Sequence, residues 1–572
     1  MSMGSIAVGT AAAFPLAARL RLLGDRDLGA GNFLDKARAV SSRPEEPFLW
    51  AQQPGEPIVK AEPLSLASLT HLRDSYAAFY YGAGVRKGDP VGIYLADGID
   101  PLVHFLALGA LGAIPALVNG RMEPSVAAEY LRRVGVVGLV ANQIRLDAVA
   151  AVDGALHRLR FAVDTMTLPT TLASGVRLPA TYPYRPGDQD VVMLCHTSGT
   201  TGAPKAAMFG HRQFFLGKRG RLVNFPAPST NRLLSALPQT HSAGISYLMT
   251  ATLLGLPTFV MAEMSGEAVR DAMREFHPTM VVAFPQTYAA LSQLELAPEA
   301  AGKVHTWINT GDSAHEAHIR ALVRHGRRAD RRGGRAGSRF IDGLGSSEMG
   351  MALFCKVSEP ESTEYGRCVG RPVDVVQRAT VFGDDGSELA SGKVGRLGVR
   401  TPTVTPGYWN DAVLTARSSL SGYWLTGDLV YRDEQGRFHH VDRLGDVIHT
   451  AEGPIYSLPM EEAVLVGCPD VADCAIVAVA DPAQSELSLP FASVRLGHHV
   501  TEPPDLLGML NTALVARGLP ALRGAVVARD TADFPVGPTG KVLKRRLRER
   551  FATALLVESP QIMDVATLNG SP

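Results

Sequence analysis

His196-Thr197-Ser198-Gly199-Thr200-Thr201-Gly202-Ala203-Pro204-Lys205 follows directly on a β-rich run at 191–195. Glycines let such a backbone fold close enough to turn its N–H groups on an anion, and the hydroxyls and the Lys205 ammonium complete a cradle for phosphate. The Gly-x-x-x-x-Gly-Lys order of a Walker loop is absent, so this is a phosphate loop of another kind. The plain alternative is an ordinary Ser/Gly turn.

The surrounding sequence alternates. Residues 91–95 read as a strand, 101–111 as a helix and 113–118 as a strand, a βαβ unit that calls for a parallel sheet. Similar runs at 136–141, 191–195 and 280–284 each stand beside a helical pattern. From Val394 the texture changes: Gly395-Arg396-Leu397-Gly398-Val399-Arg400, Tyr408-Trp409 and 431–440 read as short antiparallel strands with glycine turns, a small barrel-like lobe. Beyond Arg443, strands near 474–479 and 491–496 and helices near 504–517 and 541–551 read as a separate small domain.

Composition narrows the class. The 572 residues are 46% hydrophobic and 20% charged, enough to bury a large core in several lobes. Acidic and basic residues balance at 56 each, so no global field favours nucleic acid or a membrane surface. Cys195, Cys355, Cys368, Cys468 and Cys474 show no metal-ligand spacing and read as buried thiols in a reducing, cytoplasmic setting. The apolar start at 6–18 lacks a basic flank and is broken by Pro15, unlike a secretory signal. The run 102–118 contains His104 and Pro115 and reads as a buried helix entering a strand, so no membrane anchor is expected. Arg324, Arg327, Arg328, Arg331, Arg332, Arg335 and Arg339 cluster among glycines as a solvated loop or, more sharply, a docking patch for a phosphate or an acidic partner.

With these motifs in order, the chain resembles the superfamily of adenylate-forming enzymes, whose acyl-CoA synthetases, peptide-synthetase adenylation domains and luciferases share the loop at Thr197, Ser198, Gly199, Thr200, Thr201, Gly202 and Lys205. Leu237-Pro238-Gln239-Thr240-His241 resembles the family's substrate-pocket segment. Asn309-Thr310-Gly311-Asp312-Ser313 and Asp342-Gly343-Leu344-Gly345-Ser346-Ser347-Glu348 resemble its adenine and acyl loops. Tyr423-Trp424-Leu425-Thr426-Gly427-Asp428 with Asp442-Arg443 resembles its ribose motifs, and Pro535-Val536-Gly537-Pro538-Thr539-Gly540-Lys541 its C-terminal lysine loop.

The resemblance implies an α/β fold: a large N-terminal domain (1–442) of two βα-sheets plus a small distorted β-barrel, a hinge (443–445), and a small mobile α+β C-terminal domain (446–572). It implies formation of an acyl-AMP from a carboxylic acid and ATP, then a thioester with coenzyme A. Lys541, Glu348 and His241 would be catalytic, with Lys541 offsetting the repulsion between carboxylate and α-phosphate. Ser347 would join the phosphate loop, and Glu348 with Thr201 would hold Mg²⁺. Gly311, Asp312, Ser313, Asp342, Gly343, Leu344, Asp428 and Arg443 would bind adenosine. Thr240, Ser242, Gly244, Asn309 and Gly345 would line the acyl pocket. Gly445 would be the hinge, and Glu452 and Gly453 would line the CoA tunnel.

Several positions depart from the family pattern. Leu344 stands where a tyrosine stacks on adenine. Gly445 stands where Asp or Lys is usual, Arg396 replaces a common Glu, Val536-Gly537 replace a basic residue and Thr, and Glu452 aligns with a glycine unless the register shifts to Gly453. Three alternatives to the CoA ligase therefore stay open: a ligase that mainly thioesterifies supplied acyl-AMP, transfer to a carrier-protein phosphopantetheine docked on the arginine loop, and a non-catalytic adenylate-binding protein.

Overall fold

The computed structural model describes residues 6, 12–152, 159–168, 176–197, 204–225, 230–328, 334–484, 486–497, 500–529, 534–537 and 541–555. The βαβ unit forms as read, with strand Pro90–Leu95, helix Asp100–Leu111 and strand Ile114–Asn119. Gly112, at φ +75°, caps the helix in the left-handed region where glycine costs least. Every residue of both strands is buried, as helices on both faces of a parallel sheet require. The strands run parallel to each other and to Gly138–Ala141. Val191–Thr197 adds on the other side, followed antiparallel by Lys205–Gly210, and Phe161–Asp164 completes six described strands.

The second sheet runs on into the expected barrel-like region. Its parallel core joins Leu233–Ala236, Met280–Ala283, Thr306–Asn309 and Arg339–Gly345. Strand Arg339–Gly345 then pairs antiparallel with Ala352–Ser358, and the hydrogen bonding continues without a break through Cys368–Pro372, Phe438–Arg443, Tyr423–Arg432, Gly395–Arg400 and Arg378–Phe382. The barrel-like region is thus the strongly curved end of a fourteen-stranded described sheet. Bulges at Leu344/Gly345, Cys368/Gly370, Arg396/Gly398 and Leu429/Val430 turn it, since an extra residue on one strand bends the ladder.

The C-terminal lobe is α+β. Val471–Ala480 pairs antiparallel with Ser488–Leu496, which pairs parallel with Gly524–Val527. Ser457–Gly467 and Leu506–Val515 pack their apolar faces with this sheet around Met460, Val464, Ile476 and Leu510. The last helix is shorter than expected, Lys544–Arg550, and Lys541 lies before it next to a bridge between Val536 and Val542. No described helix is long and apolar enough to cross a membrane.

Two composition-based expectations need correction. Four cysteines are buried but Cys355 is half-buried. The arginine cluster forms a small hairpin, Arg327–Arg328 against Arg335–Ala336, with 331 and 332 outside the described residues. Arg328 is buried on Glu359 and Glu361, and Arg339 also pairs with Glu359, so part of the cluster is neutralised by its own fold.

Candidate active site

The phosphate loop itself, Ser198, Gly199, Thr200, Thr201 and Gly202, lies outside the described residues. Its two ends are fixed: Thr197 and Lys205 oppose each other across the antiparallel pair Val191–Thr197 and Lys205–Gly210. Lys205 Nζ lies 5.5 Å over the Tyr408 ring, and Tyr408 Oη donates to Glu348 Oε1 at 2.9 Å. Burial, reinforced by Glu348, holds the Tyr408 phenol well above its usual range, so it stays a donor. Glu348 Oε2 accepts no hydrogen bond from a described residue, leaving an oxygen for a cation; neighbouring Ser347 is half-buried.

Asp428 and Arg443 are directly opposed on neighbouring strands and pair at 3.0 Å, while His440 Nε2 lies 3.4 Å from the same carboxylate. Burial pushes the Asp428 carboxyl up, but Arg443 and His440 outweigh it and bring it down to about 2. Asp428 is therefore a fixed anion with an oxygen to offer to hydroxyl donors, the chemistry a vicinal diol needs.

Asn309 ends its strand opposite Asp342, and its Nδ2 donates to Asp342 Oδ1 and to the Asp312 carbonyl, both at 2.6 Å. Gly311, at φ +93°, turns the chain between them; a Cβ there would lie 2.8 Å from the Phe284 ring. Asn309 Oδ1 and Ser313 Oγ are buried without a partner among the described residues. Buried polar atoms are nearly always bonded, so these two are candidates to meet a bound group. Arg367 Nη1 donates to the Ser313 carbonyl at 3.3 Å.

Lys541 reaches this loop from the C-terminal lobe, its Nζ 3.3 Å from Asp312 Oδ2. Burial works to raise the Asp312 carboxyl, but Lys541, then His440, Arg367 and Arg443, drive it far below the usual range. His241 stands before the helix Ser242–Leu254, its Nδ1 accepting from the Ala243 N–H at 3.1 Å. That bond leaves Nε2 carrying the proton. Burial, then the neighbouring His196 and Lys541, lowers the ring to about 3, so His241 is neutral across ordinary pH. Its ring meets Phe284 edge-on at 5.1 Å. Thr240 is buried and donates to Asp97 Oδ1 at 3.4 Å; Ser242 is buried beside it, and Gly244 admits no Cβ, the Pro238 carbonyl standing 2.1 Å from where it would be.

Four further expected residues lie apart from this cluster or in its packing. Leu344 is buried in the barrel-side core with Met349, Val399 and Trp424, its side chain committed to packing between Gly343 and Gly345. Glu452 and Gly453 turn the exposed hairpin Ile448–Thr450 to Gly453–Ile455, and no hydrogen bond links them to the Asp312 loop among the described residues. Gly445 lies in a short 3-10 turn, Leu444–Asp446, tied by Asp446 to Arg548 at 2.7 Å. The structure adds Tyr408, His440, Arg367 and Asp97, none of which had been singled out as a site residue. Tyr408 stood in a Gly-Tyr-Trp run that looked like strand texture, and only its approach to Glu348 marks it.

The comparisons agree with this architecture. The AMP-binding enzyme family matches residues 39–409. The chain is 37% identical over 558 residues to a 3-aminoavenalumate diazotase of a Streptomyces species, covering 93% of this chain and 98% of that protein. It is 28% identical to a feruloyl-CoA synthase of an Amycolatopsis species, covering 85% and 94%. Among solved structures, an anthranilate CoA ligase in complex with anthranoyl-AMP superposes with TM-score 0.80 at 19% identity, covering 93% and 98%. The o-succinylbenzoate CoA synthetase of Bacillus subtilis in complex with AMP gives 0.72 at 21%, covering 90% and 98%. The chain belongs to the AMP-binding enzyme family of adenylate-forming ligases.

Proposed function

We propose that this ligase uses ATP to activate nitrite as a mixed anhydride with AMP and delivers its nitrogen to the amine of an aromatic acid, giving a diazonium group. The observation that carries this reading is the 37% identity to a diazotase along nearly the whole of both chains. A second such relative, the 3-amino-2-hydroxy-4-methoxybenzoate diazotase of Streptomyces cremeus, is 26% identical over 73% of this chain.

The chemistry suits the pocket. A nitrite oxygen attacks the α-phosphorus and pyrophosphate leaves, just as a carboxylate oxygen would. The amine nitrogen then attacks the activated nitrogen, the N–O bond to AMP breaks, and the amine loses a proton. Protonation of the resulting nitrosamine and loss of water complete the diazonium. Lys541 would offset repulsion between two anions in the first step. Neutral His241 can donate from Nε2 to a developing oxyanion but does not carry charge there. Glu348 and Thr201 would hold a Mg²⁺ ion, which when bound neutralises phosphate charge. Asp428 and Arg443 would hold the ribose, Asn309 and Ser313 the adenine edge. Residues 446–572 would move as a body about 443–445 between the two steps.

The second reading is acyl-CoA formation from an aromatic acid, favoured by the feruloyl-CoA synthase relative. One experiment separates them: amino-aryl acids with ATP and either nitrite or coenzyme A, following pyrophosphate, azo-coupling product and thioester. Nitrite-dependent pyrophosphate release with azo product supports the diazotase. Thioester with no azo product overturns it in favour of the ligase.

A further inference from the structure

The helix His211–Asn224 carries Lys218, Arg219 and Arg221 in its second half. Arg219 is used by the carbonyls of Leu23, Asp25 and Leu28. Arg221 turns to the neighbouring helix Ser242–Leu254: its Nη1 donates to Thr250 Oγ1 at 3.0 Å and Ser246 Oγ at 3.4 Å, and its guanidinium lies 4.4 Å over the Tyr247 ring. Lys218, one turn earlier, is buried with its ammonium 3.3 Å from the centroid of the Phe214 ring. Burial, and then the charge of Arg221, push that ammonium well below its usual range. Neither cation has an ion-pair partner among the described residues, although Arg270, Arg328, Arg339 and Arg437 all have one.

Arg221 is held by two hydroxyls and a ring but by no carboxylate among the described residues, so its charge is free to meet an anion, while burial favours the neutral amine of Lys218 until an anion stands beside it. Their helix packs towards the chain that follows the loop Asp342 to Glu348. Gly217 lies against Met351, with a Cβ there 3.3 Å from Met351 Sδ. Tyr247 stands within the field of the Cys355 thiol, on the strand Ala352–Ser358 that pairs with Asp342 and Gly343. Ser246 and Thr250 follow His241, so at ~1.5 Å rise per residue the two hydroxyls that hold the guanidinium start about 8 and 14 Å along the helix from His241.

We propose that Arg221, with Lys218 behind it, binds the carboxylate of the substrate at the far end of the pocket, so that the opposite end of an elongated aromatic acid is presented to the adenylate. This deepens the proposed function and rests on its reading that an aromatic acid reacts beside His241 and Lys541. It commits the substrate class: an aromatic acid with the anionic group and the reacting group about one conjugated side chain apart. A guanidinium, which offers a planar fork of donors, suits a carboxylate.

The test is calorimetric binding of 3-amino-4-hydroxycinnamate and of its methyl ester to the full-length protein in the presence of AMP. The wild type should bind the acid at least tenfold more tightly than the ester. Arg221→Gln should abolish that preference, Arg221→Lys should retain most of it, and Lys218→Met should reduce it, all with AMP affinity unchanged. Equal affinity for acid and ester in the wild type, or an unaltered ratio in both Arg221→Gln and Lys218→Met, overturns the proposal; the wild-type and Lys218→Met arms stand even where Arg221→Gln does not fold. Because binding needs no turnover, the two readings fail separately. Arg221-dependent acid binding without diazotisation sinks only the proposed reaction, and equal diazotisation of acid and ester sinks only the carboxylate anchor.

Discussion

The ammonium of Lys541 lies 3.3 Å from the Asp312 carboxylate, an ion pair that joins the C-terminal lobe to the loop after strand Thr306–Asn309. Both side chains are about one-third exposed, so the pair itself adds little to stability. Its value is positional. Lys541→Ala should lower ATP–pyrophosphate exchange by roughly 10²–10³-fold while leaving the thermal midpoint nearly unchanged. An exchange rate within a factor of two of wild type would remove Lys541 from the first step.

Glu462 fixes the same docked arrangement from the other side. Its Oε1 accepts from the Glu316 N–H at 2.6 Å and its Oε2 lies 2.7 Å from His315 Nδ1, so it caps the helix Glu316–Val323 across the lobe boundary. Burial raises its carboxyl, yet His315 first and Arg367 next bring it down to about 2. Glu462→Ala leaves buried donors unanswered, worth about 1–3 kcal/mol. Proteolytic cleavage near 443–446 should accelerate and pyrophosphate release should slow about 5- to 50-fold.

Asp97 gives a pH signature. Burial, only partly opposed by Arg121, raises its carboxyl from 3.8 to about 6. A carboxyl raised on folding disfavours the charged form, so the stability it takes away is absent below about pH 4 and fully taken away above its folded value near 6. Asp97→Asn should therefore raise the unfolding free energy at pH 8 by about 1–3 kcal/mol, with the gain shrinking towards pH 4. Chemical denaturation at both pH values would check the sign, and a gain larger at pH 4 would refute the argument.

Tyr408 spans Lys205 and Glu348. Tyr408→Phe removes one charge-assisted hydrogen bond while keeping the ring. KM for ATP should rise about 3- to 20-fold, the equivalent of roughly 0.7–1.8 kcal/mol. Steady-state kinetics with saturating second substrate would measure it.

Leu344→Tyr restores the family's usual residue, yet the side chain here is packed in the core. The substitution should destabilise by about 1–3 kcal/mol through overpacking and should not tighten ATP binding. A variant of unchanged stability with improved ATP affinity would show that the aromatic ring can turn to the nucleotide.

The strand-helix-strand run Pro90–Asn119 was legible because periodicity and burial agree locally: residues that alternate or cluster as apolar have nowhere else to go. The continuity of the second sheet was not, since strand Arg339–Gly345 looks the same in sequence whether its far edge is free or paired. The site divides similarly. Asp312, Asp428 and Lys541 stand in recognisable runs. Tyr408, Arg367, Asp97 and Arg221 carry no pattern around them and become candidates only through contacts with segments far along the chain.

By itself the sequence determined the elements, the order of the motifs and the residue types at each loop, because these depend on interactions over a few residues. The tertiary structure alone decided which charges find partners. Lys541 is answered by Asp312, Glu462 by His315 and the Glu316 N–H, while Lys218 and Arg221 meet no carboxylate among the described residues. Coulomb attraction acts over a few ångströms in space, and separation along the chain says nothing about that distance.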